Sequence, residues 1–409
     1  FGKVADLFGR RLIYLLGLTI FALSSFALVF ADSYLPLVGF RAAQGLGGAM
    51  MFAGSLAMVT LAFPPERRGR AMGINVAIVY LGQTMGPFVG GVIVYNLGWR
   101  SLFLVAGCYG LLNLGLDFWL LRRTEWKEEG AAGFDWPGFL AYAVSLSAFL
   151  LGLSWLPQLQ GVILFVAGIA GLSLFVWWET RARTPVVEVR LFRHNRVFAF
   201  SNLAALISYA ALWAMSFLMS LYLQFIKGLN AQTAGLVLIA GVAVQASVSP
   251  LAGRLSDRFQ PRWVASGGMA LCVIGLLSFS FLQTGTPYWR IVATLCVLGL
   301  GYAFFSTPNQ SSIMGSVERR YVGVASASLG TMRMIGQAIS IGVATLVLAV
   351  IVGRHDILPA DYPHLLTAVR ITFALLTAFS VAGVAASLAR GSLDAPTTAV
   401  KETGPAPEL

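Results

Sequence analysis

The sequence predicts an all-α membrane protein, and three observations carry that prediction. Twelve apolar runs divide the 409-residue chain, each near the ~20 residues a helix needs to cross the hydrocarbon core. Only 11% of the residues are charged, against about 25% in soluble domains, and mean hydropathy is +0.78. The basic residues lie between the runs rather than in one patch, which is the pattern of membrane topology. A net charge of +11 distributed in this way argues against a nucleic-acid interface.

In order, the runs cover residues 12–31, 35–62, 71–95, 101–121, 138–156, 161–178, 198–223, 234–252, 263–283, 288–312, 322–351 and 365–389. Backbone groups in lipid must be satisfied within the segment, so these read as helices; their length and lack of alternation exclude strands. With the first residues placed in the cytoplasm, inner segments hold 21 of the 28 basic residues. Outer segments hold four, Arg100, Lys227, Arg290 and Arg354, while Arg41, Arg333 and Arg370 fall within runs. Both ends are therefore expected on the cytoplasmic side of a bacterial plasma (inner) membrane. Residues 122–137 mix acids and bases and read as a solvated linker. The stretch 181–196 interleaves five arginines with Val186, Val187, Val189, Leu191 and Phe192. It reads either as a segment on the inner leaflet, each basic residue near anionic lipid contributing about 1 kcal/mol, or as a plain topology signal. The tail 391–409, rich in Pro, Thr, Gly and Ala, is expected to be disordered.

Catalytic and metal chemistry finds little material here. Cys108, Cys272 and Cys296 each lie within an apolar run without a CxxC or histidine companion, as small buried side chains do. The three histidines, His194, His355 and His364, all fall in loops. No metal, no cofactor and no enzymatic activity are expected.

Four patterns point instead to a moving membrane machine. The loop at 2–11 reads G-x-x-x-D-x-x-G-R-R, with Gly2, Asp6, Gly9, Arg10 and Arg11. Glycines permit tight turns, and Asp6 can accept hydrogen bonds at a helix start, where the dipole favours an anion. A second copy at 253–262 keeps Gly253, Asp257 and Arg258, with Gln260 in place of the glycine. The ERR at 66–68 returns at 318–320, and GLGGA at 45–49 returns as GLGYA at 299–303. Three matches at nearly one offset mark an internal repeat. In the run 35–62, Arg41, Gln44, Gly45 and Gly48 share one face. An arginine within a span costs roughly 2.5–3.5 kcal/mol unless it meets protein or water, so it is a functional candidate by default. A structural tie to a carbonyl or carboxylate is the alternative. Finally, the stretch 82–91 reads G-x-x-x-G-P-x-x-G-G. Gly82, Gly86 and Gly90 form one bare ridge on which another helix can press, and Pro87 bends the rod.

The order Gly82, Gly86, Pro87, Gly90, Gly91 resembles the antiporter motif of the major facilitator superfamily. The loop at 2–11 resembles the same family's cytoplasmic loop, although Leu7 stands where a basic residue is usual. Leu37, Arg41, Gln44, Gly45, Gly47 and Gly48 match its L-x-x-x-R-x-x-Q-G-x-G-G pattern. Eight runs separate the two copies of the Gly-x-x-x-Asp loop, where six would belong to the twelve-helix branch. The chain thus resembles the fourteen-helix, drug:proton antiporter-2 group, EmrB/QacA-like. The resemblance implies two pseudo-symmetric bundles plus an inserted helix pair, with 12 of 14 helices present and the first two missing by N-terminal truncation. It divides the chain into an incomplete N-terminal bundle at 1–121, a linker and inserted hairpin at 122–196, a C-terminal bundle at 197–390 and the tail at 391–409.

The implied function is proton-coupled export of amphipathic drugs or related small molecules by alternating access, driven by the proton gradient. Implied partners are a small amphipathic substrate, protons and the lipid bilayer, with a periplasmic adaptor left open. The resemblance makes the two Asp loops a latch between bundles and gives Arg41, with Gln44, a part in proton coupling. Carboxylates within runs are few; Asp117 is a candidate relay or a solvated boundary residue. Cavity candidates are Asn75, Gln83, Asn202, Tyr209, Trp213, Gln224, Gln245, Asn309, Gln310, Arg333 and Gln337, polar or aromatic residues of which many could simply bond neighbouring helices. Transport of another solute by the same fold, and a fragment that transports nothing, are the competing readings.

Overall fold

A computed structural model describes residues 1–120, 134–182, 185, 189–318, 321–353, 355 and 357–391. Most of the predicted linker and of the tail lies outside these, as does part of the arginine-rich stretch. The described chain folds as α1 (Gly2–Phe8), α2 (Arg10–Val29), α3 (Tyr34–Ala62), α4 (Pro65–Leu97), α5 (Arg100–Leu120), α6 (Trp136–Trp155), α7 (Leu159–Glu179), α8 (Val189–His194), α9 (Arg196–Leu212), α10 (Met215–Leu221), α11 (Ala231–Arg258), α12 (Pro261–Ser280), α13 (Tyr288–Gly315), α14 (Val322–Ile351) and α15 (Tyr362–Ala389). Every predicted run falls on helix. Eleven spans among the described residues are long and apolar enough to cross a membrane.

Helices extend past several runs because their polar ends still hold helical bonds outside the apolar layer. α4 begins at Pro65 and α12 at Pro261, a ring whose fixed φ suits the first helical position. Asp135, Asn195 and Asn230 cap α6, α9 and α11 through their side-chain oxygens, satisfying orphan N–H groups.

One run departs from expectation. The segment 198–223 is not a single α-helix: α9 stops at Leu212, Trp213 and Ala214 form a turn, and a π-helical turn over Tyr222–Ile226 follows α10. The freed Ala214 N–H donates to Ser340 Oγ on α14 at 2.9 Å. Tyr222 OH donates to the Gln283 carbonyl at 2.6 Å. A neighbouring helix thus supplies the partner that the freed amide requires at membrane depth.

Packing runs in antiparallel pairs, α2 with α3, α6 with α7 and α12 with α13, and α5 joins α2. α9, α12, α13 and α15 enclose the largest core, which includes Phe198, Met269, Phe279, Phe305 and Phe373. Small residues set the closest approaches: an added Cβ at Gly268 would stand 2.6 Å from the Gly301 carbonyl, and one at Gly301 2.7 Å from the Gly268 carbonyl. In lipid, dispersion across such close backbones replaces the hydrophobic drive of water. Two helices cross between the halves. α4 packs on α11 and α13, and α14 packs on α3 as well as α9. The α6–α7 hairpin meets the rest mainly through α14, where Tyr142 OH donates to Thr331 Oγ1 at 3.0 Å.

Candidate functional site

The two Asp loops lie at the same end of the bundle, and each meets the start of a helix in the other half. Asp6, 2% exposed, receives the Arg10 guanidinium at 2.7 Å and 2.8 Å. Its carboxylate rests against Gly323 in the first turn of α14, so closely that a Cβ at Gly323 would overlap it. Gly2 is pressed on the Gly323 carbonyl. Gly9 joins α1 to α2 with φ 109°, a value that favours glycine. Arg11 stacks over Phe118 at 5.6 Å.

In the second copy, Asp257 Oδ1 accepts from the Gly69 N–H at 2.9 Å, and Oδ2 from the Arg70 N–H at 3.2 Å, near the start of α4. Gly253 faces the Gly69 carbonyl backbone to backbone, and Arg258 is exposed. Gln260 replaces the loop glycine at no cost here, because its φ of −57° is open to any residue. Gly69 follows the first ERR directly, and Gly323 lies three residues after the second. The repeat thus flagged both receiving helices, but a single sequence does not pair an aspartate with the opposite half.

The ridge expectation at 82–91 needs correction. Among the described residues nothing lies within 4 Å of a Cβ placed at Gly82 or Gly86, and at Gly90 Leu102 Cδ2 alone approaches, at 3.7 Å. The helix pressed on α4 uses another face. A Cβ at Gly73 would meet the Ser249 carbonyl at 2.6 Å and Pro250 Cα at 3.0 Å. Gly69, Gly73 and the buried Ala77 form that seam at i, i+4 and i+8. Nine residues at about 100° each put Gly82 on the opposite side of the helix from Gly73. α4 remains α-helical through the stretch; the side chains of Gln83, Pro87 and Gly91 lie outside those described.

Arg41 sits two turns from the start of α3 and is exposed; its Nη1 donates to Gln44 Oε1 at 3.0 Å. Gln44 Nε2 passes the chain to Ser25 Oγ on α2 at 2.8 Å, and Ser25 Oγ donates to the Phe21 carbonyl at 2.6 Å. The guanidinium also lies 4.7 Å above the Phe103 ring of α5. The charge therefore meets its own helix and α5 directly and α2 through Gln44, and among the described residues it makes no ion pair. Gly45 and Gly48 beside it have open space where a Cβ would stand. Ser25 and Phe103 had no signal in the sequence, since a serine and a phenylalanine in apolar runs are commonplace. Asp117 on α5 hydrogen-bonds Tyr14 of α2.

The remaining polar candidates separate into three groups. Asn202 and Asn309 are buried, and their amides donate to the Phe198 and Ser201 carbonyls at 2.9 Å and 3.0 Å. They tie α9 to itself and to α13 rather than lining a cavity. Gln245 is likewise buried, while Gln224 bonds Ser220 on its own helical stretch at 2.7 Å. Asn75 and Gln310 are half-buried. Arg333 lies 5.8 Å from the Phe52 ring of α3 and 5.7 Å from the Tyr209 ring of α9. Trp213 and Gln337 line a cavity of about 640 Å³ between α6, α14 and the α9–α10 break. Among the described residues no group of three His, Cys, Asp or Glu side chains could hold a metal.

Comparison with known proteins fits this architecture. Residues 1–341 match the family described as Major Facilitator Superfamily. The riboflavin transporter RibZ of Clostridioides difficile is 30% identical over 342 residues, 83% of this chain and 74% of RibZ. The multidrug resistance protein Stp of Mycobacterium tuberculosis is 34% identical over 352 residues, 85% of this chain and 65% of Stp. The methylenomycin A resistance protein of Bacillus subtilis is 29% identical over 355 residues, 85% of this chain and 75% of that protein. The chain thus spans about two thirds to three quarters of these relatives. The crystal structure of the human organic anion transporter MFSD10 (TETRAN) shares the fold, with TM-score 0.66 at 18% identity, covering 94% of this chain and 79% of that one. With the helices, the repeated Asp loops and the sequence relatives in agreement, the chain belongs to the Major Facilitator Superfamily of membrane transporters.

Proposed function

We propose that the chain is part of a proton-coupled exporter of amphipathic small molecules, of the fourteen-helix drug:proton antiporter-2 group. It works in the plasma membrane with both ends cytoplasmic. The observation that carries the reading is the reciprocal pair of contacts: Asp6 against Gly323, and Asp257 on the Gly69 and Arg70 N–H groups. Two bundles clasped at one end, each by the other's helix start, form a bistable element for alternating access. In this reading the two contacts hold the state closed at the end where the Asp loops lie. The eight apolar runs between the two Asp loops and the resistance-protein relatives support the group and the substrate class.

Inward proton movement supplies about 2.3 kcal/mol per charge at 100 mV, enough for roughly fifty-fold accumulation when one charge moves. The chain Arg41–Gln44–Ser25 is the proposed coupling element within these helices, and Asp117 with Tyr14 a secondary one. The riboflavin-transporter relative favours a second reading, in which the solute is an amphipathic aromatic metabolite.

The test is dye efflux from cells expressing the whole reading frame that encodes this chain. Accumulation of a lipophilic dye should fall, an uncoupler should restore it, and Arg41→Ala should abolish efflux at normal expression. Efflux indifferent to the uncoupler would refute proton coupling, and unchanged efflux in the mutant would remove Arg41 from it. Riboflavin efflux without dye efflux would select the second reading.

A further inference from the structure

α14 carries an arginine to the boundary between the halves at mid-depth. Val322 opens α14 at the latch end, and Arg333 follows it along the same helix, about 16 Å further on at 1.5 Å per residue. That is roughly half of a ~30 Å hydrocarbon layer. In transporters built from two repeats, substrate sites lie near that depth, between the repeats.

A glycine on either side of Arg333 lets one aromatic ring from each half reach α14. A Cβ at Gly330 would stand 2.8 Å from Phe52 Cε1 of α3, and one at Gly336 2.7 Å from Tyr209 Cβ of α9. At about 100° per residue, Arg333 points midway between these glycines, about 60° from each. Its side chain therefore enters the wedge between the rings, the guanidinium carbon 5.8 Å from Phe52 and 5.7 Å from Tyr209. Both rings are themselves held. Ser326 Oγ donates to the Phe52 carbonyl at 3.4 Å, and Tyr302 of α13 meets Tyr209 edge to face at 6.1 Å. Arg333 and Phe52 keep part of their surface accessible, so the wedge is not sealed.

A guanidinium is planar, permanently charged and carries a fork of donors that matches a carboxylate. Aromatic rings steady it by cation–π attraction and offer a flat apolar body something to pack against. The set fits a ligand with an aromatic plane and an anionic pair of oxygens. A cation of the same shape would meet like charge in a water-poor place.

We infer that Arg333, with Phe52 and Tyr209, recognises the transported molecule and selects planar aromatic anions. The carboxylate, or an equivalent oxygen pair, lies on the Arg333 fork, and the ring packs against Phe52 and Tyr209. The inference rests on the export reading and narrows its amphipathic substrate to one sign of charge.

The experiment measures equilibrium binding of tritiated 2-naphthoate to the protein purified from the whole reading frame and held in nanodiscs. Unlabelled 2-naphthamide and 2-naphthylmethylammonium, neutral and cationic bodies of similar shape, compete with it. Naphthoate should bind saturably, and half-displacement should need at least about tenfold more ammonium than unlabelled naphthoate, the scale of one charge-assisted contact. Arg333→Gln should bring the three compounds within about twofold of one another. Arg333→Lys keeps the charge and loses the fork, so naphthoate should weaken while the order of the three persists. Phe52→Leu should weaken naphthoate and naphthamide alike. An ammonium that competes as well as naphthoate, an absence of saturable naphthoate binding, or an order that survives Arg333→Gln with a normal gel-filtration profile would overturn the inference. If Arg333→Gln does not fold, unweakened naphthoate binding in Arg333→Lys overturns it instead. Efflux from cells separates the site from the export reading. Naphthoate that binds but is not exported would refute export and leave the site, whereas export of the ammonium alone would refute the anion preference and leave export.

Discussion

Removing the Asp257 carboxylate should unclasp one end of the molecule. Asp257→Ala deletes two charge-assisted hydrogen bonds, at 2.9 Å from Gly69 and 3.2 Å from Arg70. Such bonds contribute about 1.5–3 kcal/mol when buried. Asp257 is exposed and the second bond is long, so about 1 kcal/mol each, roughly 2 in all, is the reasonable figure. If the latched state leads by about 10:1, that loss brings the ratio to about 1:3. Asp257→Asn retains one acceptor oxygen but turns a donor towards the Arg70 N–H, and should give about half the shift. The assay is a distance distribution between spin labels at Arg67→Cys and Arg254→Cys, both exposed, with Cys108, Cys272 and Cys296 replaced by alanine. The short-distance population should shrink in the order native, Asn, Ala. A distribution unchanged in Asp257→Ala would refute the latch and leave the loop a topology signal. Gly69→Ala supplies the converse, since its Cβ would overlap the Asp257 carboxylate without removing its charge.

Four further outcomes follow from the geometry. Gly73→Ala should destabilise by about 1–3 kcal/mol through overpacking on Ser249 and Pro250, whereas Gly82→Ala and Gly86→Ala, with open space, should stabilise by roughly 0.5–1 kcal/mol; thermal melting in detergent decides. If the 82–86–90 face packs in the opposite access state, Gly86→Leu will melt normally yet abolish efflux. Gln44→Leu cuts the link from Arg41 to Ser25 and should lower efflux at least tenfold with expression unchanged. Arg390, 1% exposed, bonds the Ser387 carbonyl and the Ser387 and Ser312 hydroxyls. Burial and then the Arg262 charge press its pKa down to about 10. Folding thus penalises its charged form by an amount constant below that pH and fading only above it, so the loss on Arg390→Ala, about 2–4 kcal/mol for the void and unmade bonds, should be equal at pH 6 and pH 8.

The helices were legible because hydropathy is a local property: a run of apolar residues needs no knowledge of its neighbours to become a span. The repeat made the two Asp loops and the two ERR-led helices visible for the same reason. Facing was not legible. Gly69, Gly73, Ala77 and Gly82, Gly86, Gly90 are both ridges of small residues at i, i+4 and i+8 on one helix, and only the identity of the helix opposite decides which is pressed. The asparagines misled for a related reason. A polar side chain in a membrane helix must find a partner, but Asn309 satisfies that need with the Ser201 carbonyl as well as a cavity would. The break after Leu212 had no marker at all, for no Gly or Pro lies between Ser201 and Leu221; the hydroxyl that permits it, Ser340, is 126 residues away.

The duplication also shows where the two halves differ, and that difference orders the opening. α4 and α14 are equivalent helices, each led by an ERR and each meeting the other half's aspartate near its first turns. Asp6 is 2% exposed, neutralised by Arg10, and wedged with Gly2 against Gly323. Asp257 is exposed and makes no ion pair among the described residues. Both contacts carry a glycine-to-backbone seam, Gly2 on Gly323 and Gly253 on Gly69; breaking the first also uncovers a buried paired charge, whereas breaking the second returns a carboxylate that is already half in water. The electrostatic cost of separation is therefore smaller at Asp257, so its carboxylate should leave the Gly69 and Arg70 N–H groups before Asp6 leaves Gly323. Spin-label pairs across each seam, titrated with denaturant or substrate, would show that sequence, and simultaneous separation of both would contradict it.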